Sequence, residues 1–314
     1  MQFTAKTIDD LMHQLLKELL ARPFDVNSRR GTSSEIIAPT LILTNPLARL
    51  SQSETRGKPF SALGEFLWYM SGTNELGFIE YYLPRYEQES EDGKTVPSAY
   101  GPRLFNADGK YNQLQEVIKL LKERPHSRNA IIQIYLPSDI HELKYPPCTC
   151  SFQFLIRDKS LQMVVHMRSN DAYWGLPHDI FAFTMIQELI ARSLEIKVGS
   201  YFHTVGSLHL YRDRQKQAMQ YLKEGYQGTT KSMPSMPVKD PWNELSRLLK
   251  IEKAIRRSES CESEKHKMDS YWKDLGSLLQ IHALFKKQDL KGIDKIQNSM
   301  NFDFYRPYIE NRFL

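Results

Sequence analysis

The stretch that most constrains the fold runs from Cys150 to Leu210. Residues 150–157 and 161–168 both alternate apolar and polar side chains, the period of a strand with one face on a core. Asp158-Lys159 separates them as a hairpin-like turn. Pro177 then stands near the start of a helix expected to reach Ser193, because proline fits a first helical turn, where its missing amide is not needed. Residues 201–210 read as one more strand. Two hairpin strands, a helix and a strand predict a mixed α/β core with an antiparallel hairpin, not a regular βαβ repeat.

The rest of the chain can be read around that core. Thr7 and Asp10 have capping-box spacing, with Asp in the place of Glu. Leu11, Leu15, Leu16, Leu19 and Leu20 then mark the buried stripe of a helix that Pro23 stops. Residues 35–43 read as a strand interrupted or edged at Pro39. Residues 60–70 form a mostly apolar helix, ended by Gly72-Thr73-Asn74. Residues 84–97 read as a polar loop, and Tyr100-Gly101-Pro102-Arg103 as a turn carrying an aromatic hydroxyl. An amphipathic helix over 111–122, a strand over 130–135, a connector over 137–145 and a helix over 211–224 complete the reading.

After Gly228 the composition changes. Residues 229–242 read as a linker with Pro, Met and Ser, and 243–288 as largely charged helix. Mixed charge signs favour an accessory helical subdomain over a nucleic-acid surface. The expected division is a catalytic domain over 1–228 and a helical extension over 229–314 packed on it. The 314 residues, 41% of them hydrophobic, suffice for one large domain or two ordinary ones. There is no apolar run long enough for a bilayer and no signal-peptide core in Met-Gln-Phe-Thr-Ala-Lys. Three cysteines make no disulfide framework, so a reduced, cytoplasmic protein without membrane partners is expected. The net charge of +5 is read first as a solvated lysine-rich surface. No P-loop, dinucleotide fingerprint or zinc-type spacing is present, and no metal is expected.

Several residues carry chemistry. Arg29 and Arg30, beside small flexible residues, can hold a phosphate through guanidinium forks and backbone amides, although adjacent arginines are common on surfaces. Glu65 stands among Phe66, Leu67 and Trp68, where a carboxylate is costly unless paired or functional. Cys148 follows two prolines that stiffen its approach. A cysteine so held is a nucleophile if a cation lowers its pKa, and a small buried apolar residue otherwise. Arg168, at its strand end, can supply that cation or hold a phosphate. Asp171, Asp179, His209 and Tyr211 add acid, base and hydrogen-bonding groups.

These residues carry a resemblance. Pro146-Pro147-Cys148, Gln153-Phe154, Arg168-Ser169-Asn170-Asp171, Gly175-Leu176-Pro177 and His209-Leu210-Tyr211 resemble, in that order, the thymidylate synthase superfamily. Glu65-Phe66-Leu67-Trp68 with Gly72-Thr73-Asn74, Tyr100-Gly101 and Ser127-Arg128 fit further motifs. Four motifs depart from the synthase pattern. Thr149 replaces a His, Met167 a Gln, His178-Asp179 a Phe-Asn pair, and Ser207-Leu208 an Asp-Ala pair. These departures resemble the deoxycytidylate hydroxymethylase branch, known from phages, and the related CMP hydroxymethylases of nucleoside-antibiotic pathways.

The resemblance implies the superfamily's α/β (α+β) mixed-sheet sandwich, with a homodimer whose sheets stack back to back. It implies conversion of dCMP, or CMP, to the 5-hydroxymethyl nucleotide with 5,10-methylenetetrahydrofolate and water. Cys148 would attack carbon 6 of the base, Glu65 would organise water and proton transfers, and Tyr100 would join the catalytic water network. Arg29, Arg168 and Ser169 would hold the phosphate, with Arg128 reaching it from a second subunit and Asn129 in the place of a second arginine. His209 and Tyr211 would bond the sugar, and Gln153 belongs to the same substrate-binding set. Asn170 would position the base edge, and Asp171 would contact the folate. The tail Glu310-Asn311-Arg312-Phe313-Leu314 does not match the synthase segment that closes over ligand.

Asp179 carries the choice of base. Uracil offers a ring N–H donor and a carbonyl acceptor, which an Asn amide matches. Cytosine offers a ring-nitrogen acceptor and an amino donor, which a protonated carboxyl matches. An ionised carboxylate against the uracil carbonyl is repulsive, at a cost of ~1–3 kcal/mol or more. The plain alternative is an acid favoured by a helix N-terminus. The rival functions are a thymidylate synthase methylating dUMP, a CMP-specific hydroxymethylase, and a non-catalytic nucleotide- or RNA-binding protein. Retention of Cys148 and Glu65 speaks against the last. Ser169 and Arg128 keep the deoxynucleotide pattern and favour dCMP.

Overall fold

Asp158 and Lys159 take φ of 50° and 55°. Two left-handed residues in succession are the geometry of a tight hairpin whose twist matches its strands. The computed structural model that contains this hairpin describes residues 1–225, 228 and 231–311. In chain order its elements are β1 (Gln2–Ala5), α1 (Ile8–Leu20), β2 (Val26–Ser28), β3 (Gly31–Ile37), β4 (Thr40–Leu43), α2 (Pro59–Met70) and α3 (Leu76–Glu80). After a 3-10 turn over Pro84–Glu89 come α4 (Tyr100–Phe105), α5 (Gln113–Glu123), β5 (Ile131–Gln133), α6 (Asp139–Glu142), β6 (Thr149–Arg157) and β7 (Ser160–Asp171). Then follow α7 (Gly175–Ser193), β8 (Lys197–Tyr211) and α8 (Gln215–Lys223), and finally α9 (Pro241–Arg256), α10 (Glu262–Lys265), α11 (Ser270–Lys287), α12 (Leu290–Asn298) and α13 (Arg306–Glu310).

The strands form an eight-stranded sheet in the order β1-β4-β8-β7-β6-β5, with β3 also on β8 and β2 on β3. β6 and β7 pair antiparallel, as the hairpin requires. β7 and β8 pair parallel, from Ser160 opposite Lys197 to Asp171 opposite His209, and α7 is the crossover between them. The mixed α/β core is thus as expected. α7 is buried from Leu176 to Ala191 with few breaks, because α2 covers one flank and the sheet another. The side chain of Thr7 accepts from the Asp10 amide at 3.1 Å, closing the predicted cap of α1. The strand read over 35–43 divides at Ala38, whose φ is 50°, and both halves still pair with β8.

Three local expectations are corrected. Residues 100–103 open a helix, because Pro102 fits a first turn. Gly101 lets that helix meet the end of α2: a Cβ there would lie 2.7 Å from the Thr73 carbonyl oxygen. Within the loop read over 84–97, Pro84 starts a 3-10 turn. The connector read over 137–145 contains α6, whose Asp139 carboxylate is held by the Arg103 guanidinium at 2.7 and 2.8 Å.

The C-terminal helices share the main core. The Trp242 indole donates to Ser193 Oγ at 2.7 Å, and the Tyr82 hydroxyl to Glu252 at 3.1 Å. The described part of the stretch read as linker is also pinned: Met233 and Met236 are buried, and the Met236 amide donates to the buried Glu188 at 2.8 Å. The expected linker start at 229–230 and the tail from 312 to 314 lie outside the described residues. Among the described residues no helix is long and apolar enough to cross a membrane.

Candidate active site

A cavity of about 420 Å3 lies where the carboxyl ends of β7 and β8 meet the start of α7. Such strand ends are the usual place for ligands in open α/β sheets, because the connections there diverge. Of the residues singled out in the sequence, Cys148, Glu65, Asp179, Tyr100, Arg29, Arg168, Ser169, Asn170, Asp171, His209 and Tyr211 all line it. Arg128 and Gln153 do not. Arg128 lies in a separate surface groove with Arg124 and His126, and the Gln153 amide donates to the Arg128 carbonyl at 2.8 Å.

Cys148 sits just before β6, and Arg168 fixes its approach. The Arg168 guanidinium donates to the carbonyls of Pro147 and Pro146 at 3.0 and 2.8 Å, and its amide donates to the Cys148 carbonyl at 2.8 Å. Burial pushes the Cys148 thiol above its ordinary value, and the nearby Arg168 charge only partly offsets this. The sequence condition for a nucleophile, a cation that lowers the thiol, is therefore met in direction but outweighed by desolvation in the ligand-free chain.

Glu65 is buried on α2. Its Oε1 accepts from the Tyr69 hydroxyl at 3.0 Å and from the Tyr86 hydroxyl, while Oε2 has no hydrogen-bond partner among the described residues. Burial raises this carboxyl above the usual range, against the pull of both hydroxyls. Tyr100 stacks on Tyr69 with ring centroids 4.7 Å apart, and its hydroxyl donates to Thr149 Oγ1 at 2.9 Å. Thr149 thus holds Tyr100 in place.

Asp179, the fifth residue of α7, is raised well above its ordinary value, first by desolvation and then by Glu65. Asn170 Nδ2 donates to its Oδ2 at 2.7 Å. Asp171 caps the turn into α7 by accepting from the Tyr173 and Trp174 amides, both at 2.8 Å. His209 packs edge-on against Tyr211 at 4.8 Å and is kept below its ordinary pKa by burial, hence neutral. Arg29 and Arg30 form the tip between β2 and β3. The first lies over the Tyr145 ring at 4.3 Å, and the second pairs with Glu89.

Sequence reasoning missed several of these contacts. Tyr86, Arg85 and Glu89 lay in the loop read as merely polar. Arg56, which is buried, and Arg85 stand 4.9 and 5.3 Å from the Trp174 ring. Tyr69 was reachable, since it stands four residues after Glu65 on one helix face. A second cavity of about 230 Å3 shares Trp174 and His178 with the first and is closed by His282 and Tyr308 from the C-terminal helices. There His178 Nε2 lies 2.9 Å from Ser61 Oγ.

The sequence profile of the thymidylate synthase family matches residues 44–254. The chain belongs to the thymidylate synthase family. A deoxyuridylate hydroxymethyltransferase of Bacillus phage SP01 is 32% identical in an alignment of 219 residues that covers 65% of this chain and 56% of that protein. The chain thus spans little more than half the length of this curated relative. The crystal structure of thymidylate synthase from phage T4 superimposes with a TM-score of 0.60 at 19% identity, covering 76% of this chain and 91% of that one. That likeness shows a shared fold. The family match runs past residue 228 into α9.

Proposed function

We propose that this member of the thymidylate synthase family is a folate-dependent 5-hydroxymethyltransferase acting on a cytosine nucleotide, dCMP before CMP. The observation that carries the reading is Asp179, a carboxyl in the cavity wall whose pKa desolvation and Glu65 push well above its ordinary value, which favours the protonated form. A cytosine ring nitrogen can take that proton as the ring is attacked. A uracil ring already carries hydrogen at that nitrogen and has no use for it.

Cys148 forms the bond to carbon 6 of the base, and Arg168 holds the nucleophile's backbone while offsetting its charge. As the thiolate adds, Asp179 delivers its proton to the ring nitrogen, and carbon 5 becomes nucleophilic. The folate would supply a one-carbon unit at the oxidation level of formaldehyde: carbon 5 takes the methylene carbon, the carbon–nitrogen bond to tetrahydrofolate breaks, and carbon 5 gives up its hydrogen as a proton, which leaves an exocyclic methylene. Glu65, with a bare Oε2 and two tyrosine donors on Oε1, orients the water that adds to the new exocyclic carbon and accepts its proton. Expulsion of Cys148, with the ring-nitrogen proton returned to Asp179, restores the aromatic ring. Arg29, Arg168 and Ser169 bind the phosphate, and His209 and Tyr211 bind the sugar. Asp171 and the shared wall of Trp174 and His178 fit a long aromatic co-substrate that occupies both cavities.

We further propose a homodimer in which Arg128 completes the partner's phosphate site. In support, Ile42, Phe202, Val164, Gln153 and Ile131 form one row across the sheet on the side away from the helices, with Ile131 48% exposed. A second reading, hydroxymethylation of dUMP, is favoured by the name of the phage SP01 relative. Separate assays with dCMP and dUMP plus methylenetetrahydrofolate decide. Tetrahydrofolate release with dCMP supports the first reading, and release with dUMP alone the second. Dihydrofolate formation would mean a methylating synthase.

A further inference from the structure

Behind Asp179 a line of hydrogen bonds runs into the core, and the chemistry above makes no use of it. Asn170 Nδ2 donates to Asp179 Oδ2 at 2.7 Å. His203 Nε2 lies 3.0 Å from Asn170 Oδ1, and the Tyr201 hydroxyl 2.7 Å from His203 Nδ1. Tyr201 and His203 are fully buried and Asn170 is nearly so. Both β8 residues point to the same side because they stand two apart on one strand.

The direction of each bond follows from elementary chemistry. An amide oxygen carries no hydrogen, so His203 Nε2 must be the donor to Asn170. A neutral imidazole with its hydrogen on Nε2 has a bare Nδ1, which accepts from the Tyr201 hydroxyl. Burial holds His203 neutral, with its pKa lowered to about 3. Every bond therefore points the same way, from Tyr201 to Asp179. Asp179 Oδ2 is committed as an acceptor, and the acid hydrogen is left on Oδ1.

We propose that Tyr201 and His203 are positioning residues that set the Asn170 amide so that Asp179 always offers its hydrogen from Oδ1, the oxygen that Asn170 leaves free. If the amide turned over, its oxygen would face Oδ2 and draw the hydrogen there, away from the base. His203 prevents the turn, because its Nε2–H would then face the amide NH2. Tyr201 in turn keeps the ring in the tautomer that carries hydrogen on Nε2. The inference rests on the reading that Asp179 protonates the ring nitrogen.

The test is a mutant cycle on the full-length protein, reading kcat and KM with dCMP and methylenetetrahydrofolate. His203→Leu should lower kcat on the order of tenfold, the worth of one buried hydrogen bond, with KM little changed. In the Asn170→Ala background the same change should cost nothing further, since His203 acts only through that amide. His203→Gln, which keeps a donor for Asn170 Oδ1, should restore most of kcat. Additive losses, or equal losses in His203→Gln and His203→Leu, would overturn the proposal and leave a packing role. If His203→Leu does not fold, Tyr201→Phe, which removes one oxygen, enters the same cycle with the same criteria. Failure of the underlying reading is separate: Asp179→Asn would then keep its dCMP turnover, whatever the cycle gives.

Discussion

Replacing Asp179 with asparagine should separate binding of the base from protonation of it. The oxygen of the new side-chain amide can still accept from Asn170 Nδ2, where Asp179 Oδ2 accepts at 2.7 Å, and its NH2 still offers a donor toward the cavity. Ground-state pairing with cytosine is therefore conserved, and KM for dCMP should change by no more than a few-fold. What disappears is the acid. Loss of a positioned general acid costs typically ~10²–10⁴ in rate, or about 3–5 kcal/mol of barrier. The fall should be in kcat, because the proton is needed only as Cys148 adds to the ring. With dUMP no loss is expected, since no proton is called for at the uracil ring nitrogen and an asparagine amide can match the uracil edge. The assay is initial-rate release of tetrahydrofolate with each nucleotide across a range of concentrations, with melting curves to confirm folding. Equal losses on both nucleotides, or a loss carried by KM, would refute the acid role.

Other consequences can be measured as directly. Tyr86→Phe removes one of the two hydroxyl donors on Glu65; a hydrogen bond to a charged group is worth ~1.5–3 kcal/mol, so kcat should fall roughly ten- to hundredfold, and an unchanged kcat would count against Glu65 as the organiser of water. Burial raises the Cys148 thiol above its ordinary 9.0, so alkylation of Cys148 in the ligand-free protein should still be accelerating as pH passes that value, and Arg168→Ala should push the rise higher; a plateau at neutral pH would contradict this sign. Arg128→Ala and Cys148→Ala should each be inactive alone, yet mixed and exchanged they should recover about a quarter of native activity, since half the dimers then carry one intact site. No recovery would place Arg128 outside the partner's site.

Much of the scaffold was legible because it rests on local periods. The alternation in β6 and β7, the turn at Asp158-Lys159 and the apolar run of α7 needed no long-range information. Glu65 and Cys148 were legible as anomalies, a carboxylate in an apolar helix and a thiol behind two prolines. Tyr86 was not, because its value comes from a 3-10 turn that folds back onto α2, and nothing in a polar stretch announces that return. Tyr201 and His203 share a strand face, but strand period alone does not say that Asn170 stands opposite. Met233 and Met236 were hidden by the Pro and Ser around them, which read as a linker although both side chains enter the core. Motif resemblance gave Arg128 to the site of a second subunit and placed Gln153 in the substrate-binding set, and in one chain neither lines the cavity.

The most direct test offers dCMP, CMP and dUMP together, with methylenetetrahydrofolate, to the full-length protein and weighs every nucleotide product by mass spectrometry. The predicted result is dCMP gaining a hydroxymethyl group, with CMP and dUMP left largely unchanged. A product derived from dUMP as the main species, whether hydroxymethylated or methylated, would contradict the assignment of Asp179 to cytosine.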